Sequence, residues 1–454
     1  MLDEIWANAG TSTQVENLHI HGHAGLPSAF AVSDLAAASV AAAGAAAAEL
    51  IAARFGLSPE VHVDRRLASL WFATTIAPEG WSLQPGWDPV AGDYATRDGW
   101  IKLHTNARHH RDAALTVLRA ELDKQAVARA VSGWNADDLE AAIVAEGGCA
   151  AAMRGLSAWA SHHQGTALRA MPLMQMLPCT GQAAQHEWAG ARVDRPLAGL
   201  RVLDLTRVLA GPVCTRFLAG LGADVLRIDP AWWEEPGLEP ETTLGKRCAT
   251  LDLRSRQGVV QLKALLAQAD VLVHGYRPGA LDRLGLDSQT RQMIRPGLVD
   301  VSLDAYGWAG PWRDRRGFDS LVQMSCGIAH EGMLHYNTDV PRPLPVQALD
   351  HATGYMLACA VLRALTRRLH TGEASEVRAS LAKTADLLVA APTDGQQAPL
   401  CPAEASDYAE ALESTPWGPA RRMKPPLTVA GAPLRWHRPA GRFRSAPATW
   451  PTSG

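Results

Sequence analysis

Asp34 to Arg65 can be laid on Asp350 to Leu381 without a gap, at the offset of 316 positions that separates the two aspartates. Asp34 then falls on Asp350, Gly56 on Gly372, Glu60 on Glu376 and Val61 on Val377. Both copies read as a helix of small residues, a glycine turn and a short strand. Two alanine-rich helices can match in composition by chance. A gapless match of an acid, a glycine and a Glu-Val pair points instead to a duplication, so the fold must place one helix–turn–strand unit twice.

The chain has 454 residues, more than one ordinary core accommodates, which implies two or three domains. Hydrophobic residues make up 47% and charged residues 20%, a globular profile. The net charge of −3 provides no broad basic field, which argues against a nucleic-acid partner. A nucleotide-bearing ligand would need a local cluster of cations. The seven cysteines, Cys149, Cys179, Cys214, Cys248, Cys326, Cys359 and Cys401, are odd in number and form no CxxC pair. They argue against a disulfide scaffold and for a reducing, cytoplasmic compartment. The opening Met1-Leu-Asp-Glu-Ile-Trp6 lacks a basic segment followed by an apolar run, so no signal peptide is expected. Leu35 to Ala53 is nearly uncharged, but it is mostly alanine and includes Glu49. A closely packed soluble helix is expected there, with no membrane span.

After a proline-bearing loop at Asp194–Gly199 the pattern becomes regular. Arg201–Thr206, Ala223–Ile228, Asp270–His274 and Leu298–Leu303 have the length and apolarity of strands. Cys214–Leu221 and Gly258–Gln268 have helical spacing, and Ala210-Gly-Pro212 reads as a turn. Strands alternating with helices predict a parallel sheet covered on both faces, so residues 197 to about 310 read as a Rossmann-like α/β unit. The second predicted unit is a smaller α/β domain, with a strand at Trp100–His104 and helices at Ala113–Leu122 and Ala136–Ala145. The expected division is a partial copy of the Asp-helix segment over 1–75 and a small-domain-like segment over 76–190. A Rossmann-like domain with the second Asp helix follows over 196–390, then a tail over 391–454. The tail, rich in Pro, Arg and Trp, is expected to wrap over the other domains or to be partly disordered.

Ordered motifs carry a family resemblance. Arg201-Val-Leu-Asp-Leu-Thr-Arg-Val-Leu-Ala-Gly-Pro212 and Leu221-Gly-Ala-Asp-Val-Leu-Arg-Ile-Asp229 resemble the opening of family III (CaiB/BaiF-type) CoA-transferases. Gly245–Leu253, Arg277–Gly285, Tyr306–Pro311 and Arg316-Gly-Phe-Asp319 continue the series, so the resemblance covers about residues 196–388. Gly92–Trp100, Gly147–Met153 and Trp159 resemble the small domain of the same family, its later portion. The order is therefore rearranged: a partial distal half, a proximal half, then a short tail. The resemblance implies the family III fold, acyl-CoA and carboxylic acid substrates with coenzyme A as carrier, no metal, and a homodimer.

Asp350 lies in Pro345-Val-Gln-Ala-Leu-Asp-His-Ala-Thr-Gly354, and the resemblance makes it the nucleophile. With a carboxyl pKa of ~3.9 it is expected to be ionised at neutral pH and to need no base. Attack on a thioester gives an aspartyl anhydride, then an aspartyl-CoA thioester, so thioester energy is conserved without ATP or metal. A helix N-cap is the structural alternative, compatible with catalysis because a helix start stabilises an oxyanion. Asp34 is a possible second nucleophile, with a relic or a cap the preferred reading because no Rossmann half precedes it. Asp319 matches a carboxylate position beside the nucleophile, where it can orient substrate or be structural. The resemblance assigns Lys246, Arg283 and Arg316 to contacts with CoA, and Val208 and Tyr276 to the border of its nucleotide. Pro230 and Gly275 depart from residues found in some members. Phe318 stands where related racemases carry a histidine, and it cannot accept a proton. The histidines His104, His109, His110, His162 and His163 show no metal-ligand spacing. Gly220-Leu-Gly-Ala-Asp224 is not a dinucleotide fingerprint.

The expected function is transfer of CoA from an acyl-CoA to a free acid. The alternatives are an inactive CoA-binding paralogue or partner subunit, and a 2-acyl-CoA racemase or isomerase.

Overall fold

The computed structural model describes residues 1–10, 17–182, 188–393 and 398–451. At its centre two helices of 24 residues, Val32–Phe55 and Ala348–Thr371, pack against each other more extensively than any other pair of elements. The first is rich in alanine, which lets the backbones approach closely. The first helix is long and apolar enough to cross a membrane, but 83% of its apolar window is buried inside the protein. It is the core helix the sequence predicts.

The duplication extends to the caps. Each helix ends on a glycine in the left-handed region, Gly56 at φ 69° and Gly372 at φ 72°. Each is followed by a strand, Val61–Asp64 and Glu373–Ser380. The last residue of each strand, Asp64 or Ser380, then accepts the N–H of Leu67 or Lys383 to start the next helix.

The two copies differ in the sheets that surround them. Glu373–Ser380 belongs to a seven-stranded sheet in the order Lys246–Thr250, Asp224–Asp229, Arg201–Leu205, Val271–His274, Val299–Asp304, Glu373–Ser380, Met174–Gln182. The first six strands are parallel and the last is antiparallel. Val61–Asp64 sits in a three-stranded sheet between Leu18–His21, parallel, and Leu427–Val429, antiparallel. The registers correspond: Val61 pairs with Leu18 and Val429, as Val377 pairs with Val301 and Met176. The small sheet is thus the large one without the four strands from Arg201 to His274. The fold class is α/β, a Rossmann-like parallel sheet with a smaller α/β domain.

The copies exchange strands. Met174–Gln182, which follows the small domain, completes the large sheet, and Leu427–Val429 from the tail completes the small one. The boundaries expected near 190 and 391 therefore do not separate cores. Besides that strand the tail forms a hairpin, Tyr408–Thr415 with Gly418–Met423, paired with Ile76–Pro78. It then docks indoles on the large domain, with Trp436 donating to Arg216 O at 2.8 Å and Trp450 to Leu265 O at 3.0 Å.

The small domain has its own core, in which Gly92–Ala95, Trp100–Leu103 and Ala150–Ala152 form an antiparallel sheet. Helices Arg108–Leu118, Lys124–Val131 and Ala136–Ala145 cover it. The expected turn at Ala210–Pro212 is instead the first turn of the helix Ala210–Gly220, where Pro212 lacks only an N–H that a helix start leaves unbonded. All seven cysteines are unpaired thiols.

Candidate active site

Asp350 lies in the first turn of the Ala348–Thr371 helix, whose N-cap is Gln347, so it is not the cap residue. Its carboxyl accepts the N–H of Ala210, the first residue of the Ala210–Gly220 helix. Two helix starts thus meet at this carboxyl, and the positive ends of their dipoles favour negative charge there. Gly354, one turn further on, permits the convergence: a Cβ at this position would stand 2.5 Å from Ala210 O and 2.7 Å from Val213 Cβ. The other carboxylate oxygen, Asp350 Oδ2, is buried and has no hydrogen-bond partner among the described residues.

Asp319 is the immediate neighbour. Its Oδ2 accepts the Asp350 N–H at 3.0 Å, and its other oxygen accepts the Gln323 side-chain amide in a short hydrogen bond. The Leu349 N–H also donates to it. Burial pushes Asp319 up to about 6 despite these donors. Burial, with the neighbouring Asp319 charge second, drives Asp350 well above the usual carboxylate range. The donors gathered on Asp319 favour it as the more readily ionised member of the pair, and Asp350 is the one shifted further towards its protonated form. The expectation of an ordinary carboxylate, ionised at neutral pH, is therefore corrected: a dry site and a like charge disfavour the second anion.

Asp350 borders a cavity of about 360 Å³ whose wall includes Val208, Tyr276, Arg316 and Phe318, all singled out in the sequence. The wall also contains Arg207 and Arg315, which sequence reasoning missed, and His109 and His110 from the small domain. Arg207 stacks on Trp233, its guanidinium 4.6 Å from the ring centroid. Val208 has φ +62°, a strained conformation for a β-branched residue, and its N–H donates to Glu235 at 2.7 Å. Arg283 lines an adjoining cavity of about 300 Å³, which shares Arg207, Trp232, Tyr276 and Ala280 with the first. Together the two cavities offer arginines, aromatic faces and apolar surface, the chemistry that suits a phosphorylated adenine nucleotide and its pantetheine arm.

Lys246 lies elsewhere. Its ammonium is 3.0 Å from Asp204 with both side chains fully buried, and it donates to Pro212 O at 3.1 Å. It lines neither cavity. Strand Lys246–Thr250 points this side chain into the domain interior, so its charge is matched by protein and not presented to a phosphate.

Asp34 is also set apart. It pairs with the buried guanidinium of Arg65, which also donates to Ala24 O at 3.1 Å. At the 316 offset Arg65 corresponds to Leu381, which lines the cavity at Asp350. The first copy thus places an arginine where the second leaves apolar wall, and its sheet lacks the strands that carry Val208 and Tyr276.

His104 stacks on Phe318 with ring centroids 3.8 Å apart. Burial lowers both His104 and His110 to about 3, so these rings are neutral and weakly basic. His162 accepts the Gln164 N–H as a helix cap, and no group of three metal-ligating side chains occurs among the described residues. The missed Arg207 lies inside the quoted Arg201–Pro212 motif, but local sequence does not distinguish a cavity-wall arginine from a surface one.

The family match coincides with these elements. Residues 197–399 match the family model described as CoA-transferase family III. A probable fatty acyl-CoA transferase of Mycobacterium tuberculosis is 34% identical over 207 residues, 41% of this chain and 50% of the relative. The Succinyl-CoA--L-malate CoA-transferase beta subunit of Chloroflexus aurantiacus is 34% identical over 205 residues, 42% of this chain and 50% of the relative. Among solved structures, a CAIB/BAIF family protein from Brucella suis aligns with 27% identity and a TM-score of 0.39, covering 50% of this chain and 65% of the other. The chain spans about half the length of the two relatives.

Proposed function

We propose that this protein is a CoA-transferase that moves CoA from an acyl-CoA to a free carboxylic acid, with Asp350 as the nucleophile. The observation that carries this reading is Asp350 at the meeting of two helix starts and on the wall of an arginine-bearing cavity. Once ionised, its carboxylate attacks the thioester carbonyl and expels the CoA thiolate, forming a mixed anhydride. The thiolate attacks the aspartyl carbonyl, releasing the donor acid and leaving an aspartyl-CoA thioester. The acceptor carboxylate attacks the same carbonyl and expels the thiolate, forming a second anhydride. Attack of the thiolate on the acceptor's carbonyl frees Asp350 and yields the new acyl-CoA. The positive ends of the two helix dipoles stabilise each oxyanion, and a thioester enters and leaves.

Arg207, Arg283 and Arg316, with Val208 and Tyr276, are the proposed CoA-contacting residues, and Asp319 positions Asp350 through its backbone N–H. Asp34 has the place of a relic, because its carboxylate is matched by Arg65. The weak basicity of His104 and His110, like Phe318, favours CoA transfer over α-proton exchange. The small domain that supplies His109 and His110 belongs to the same chain as Asp350, so one copy carries both walls of the cavity.

The test is CoA transfer from succinyl-CoA to a panel of acids, alongside Asp350→Ala. Loss of about a thousandfold or more in rate, with folding intact, is expected. Hydroxylamine added during turnover should modify Asp350. Full activity of Asp350→Ala would overturn the assignment.

A further inference from the structure

The outer face of the small sheet carries three histidines. His19 and His21 stand two apart on the strand Leu18–His21, so both point to the same face. His62, on Val61–Asp64, pairs directly with His19. The rings lie nearly parallel, with centroids 4.8 Å apart for His19 and His62 and 5.5 Å for His21 and His62. None of the three lines the cavities at Asp350.

The duplication separates these imidazoles from the shared fold. At the 316 offset His62 corresponds to Arg378, and Glu60 to Glu376. By strand register His19 corresponds to Ser302 and His21 to Asp304. The second copy thus has serine, aspartate and arginine where the first has three histidines. The glutamate is common to both: Glu376 pairs with Arg378 at 2.6 Å, and Glu60 with His62 at 3.2 Å.

That glutamate fixes the roles of the His62 nitrogens. A carboxylate accepts and does not donate, so His62 Nε2 carries the hydrogen, and the neutral ring keeps a lone pair on Nδ1. Nδ1 faces His21 Nε2 at 3.2 Å. Two nitrogens held about 2.0–2.1 Å from one zinc ion at a tetrahedral angle stand about 3.3–3.4 Å apart. The pair is therefore at ligand spacing, and a carboxylate behind the imidazole is the arrangement that orients a metal-bound histidine. We infer that His21 and His62, backed by Glu60, bind a divalent transition ion of the zinc type on the surface of the small sheet. The ion takes the place of the hydrogen between the two nitrogens, and His21 carries its hydrogen on Nδ1. No third protein ligand converges there among the described residues, so water completes the shell. The site is independent of the CoA-transferase reading.

The test is calorimetric titration of the full chain with zinc chloride, alongside His21→Ala, His62→Arg and Glu60→Ala. His62→Arg introduces the side chain that the second copy has at this position, so the strand keeps its pair with glutamate. The expected result is one site with a Kd of about 100 μM or tighter. Each histidine substitution should weaken it about tenfold or more, and Glu60→Ala about tenfold. Absence of such a site, or a loss of less than about tenfold in either histidine variant, would overturn the inference, the latter by showing that zinc binds elsewhere on the chain. An unchanged affinity in Glu60→Ala would overturn the role of the carboxylate.

Discussion

The backbone N–H of Asp350 donates to Asp319 Oδ2 at 3.0 Å, so the acid that positions the proposed nucleophile also opposes its ionisation. A buried carboxyl beside a like charge holds its proton above the usual carboxylate range. Transfer should therefore speed up as pH rises through a range higher than that of an exposed carboxylate. Asp319→Asn removes the opposing charge while retaining an amide oxygen for the Asp350 N–H. Its pH–rate profile should shift to lower pH, and an unshifted profile would show that the two carboxyls do not interact.

Asp34 and Asp350 share a helix position but not an environment. Asp34→Asn should keep CoA-transfer activity within about twofold and cost no more than about 1 kcal/mol of stability, because the side chain is 41% exposed. Side-by-side denaturation and rate measurements check this, and hydroxylamine labelling at position 34 would contradict it.

Lys246 is expected to matter for folding. Lys246→Met leaves Asp204 charged in a fully buried place, which costs about 3–5 kcal/mol. Urea denaturation reads the loss. The KM for acyl-CoA of the folded variant should change little, whereas a large rise with stability unchanged would restore Lys246 to the CoA site.

Gly354→Ala tests the convergence of the two helix starts. The added methyl meets Ala210 O and Val213, so one helix must shift. A loss of about 1–3 kcal/mol in stability is expected. Because the shift separates Asp350 from the Ala210 N–H, kcat should fall more than KM rises.

The cavity walls also predict how activity depends on dilution. Asp350 and the small-domain residues His109 and His110 belong to one chain, so specific activity should remain constant over about a hundredfold dilution. A fall on dilution would show that a second copy completes the site.

Much of the architecture was legible because it is periodic. The strands at Arg201, Asp224, Val271 and Val299 are apolar runs between helices, and the repeat from Asp34 to Arg65 appears twice in register. The helix start at Ala210 read as a turn because Gly211 and Pro212 are turn residues in isolation. The tail strands were missed because short edge strands rich in Arg, Glu and Pro have little apolar alternation. Lys246 looked like a phosphate ligand because a sequence shows a cation's charge but not the acid that faces it.

The sequence alone determined the duplicated helix, the α/β class, and Asp350 as the acid around which the motifs are arranged. Tertiary structure alone decided which of two equivalent aspartates has a cavity, which cations line it, and that burial and a like charge shift its carboxyl towards the protonated form. The division has a physical cause. Helix and strand formation follow the local spacing of side chains, whereas burial, charge pairing and protonation depend on what distant segments bring within a few ångströms, such as Ala210, Asp319 and Arg65 here.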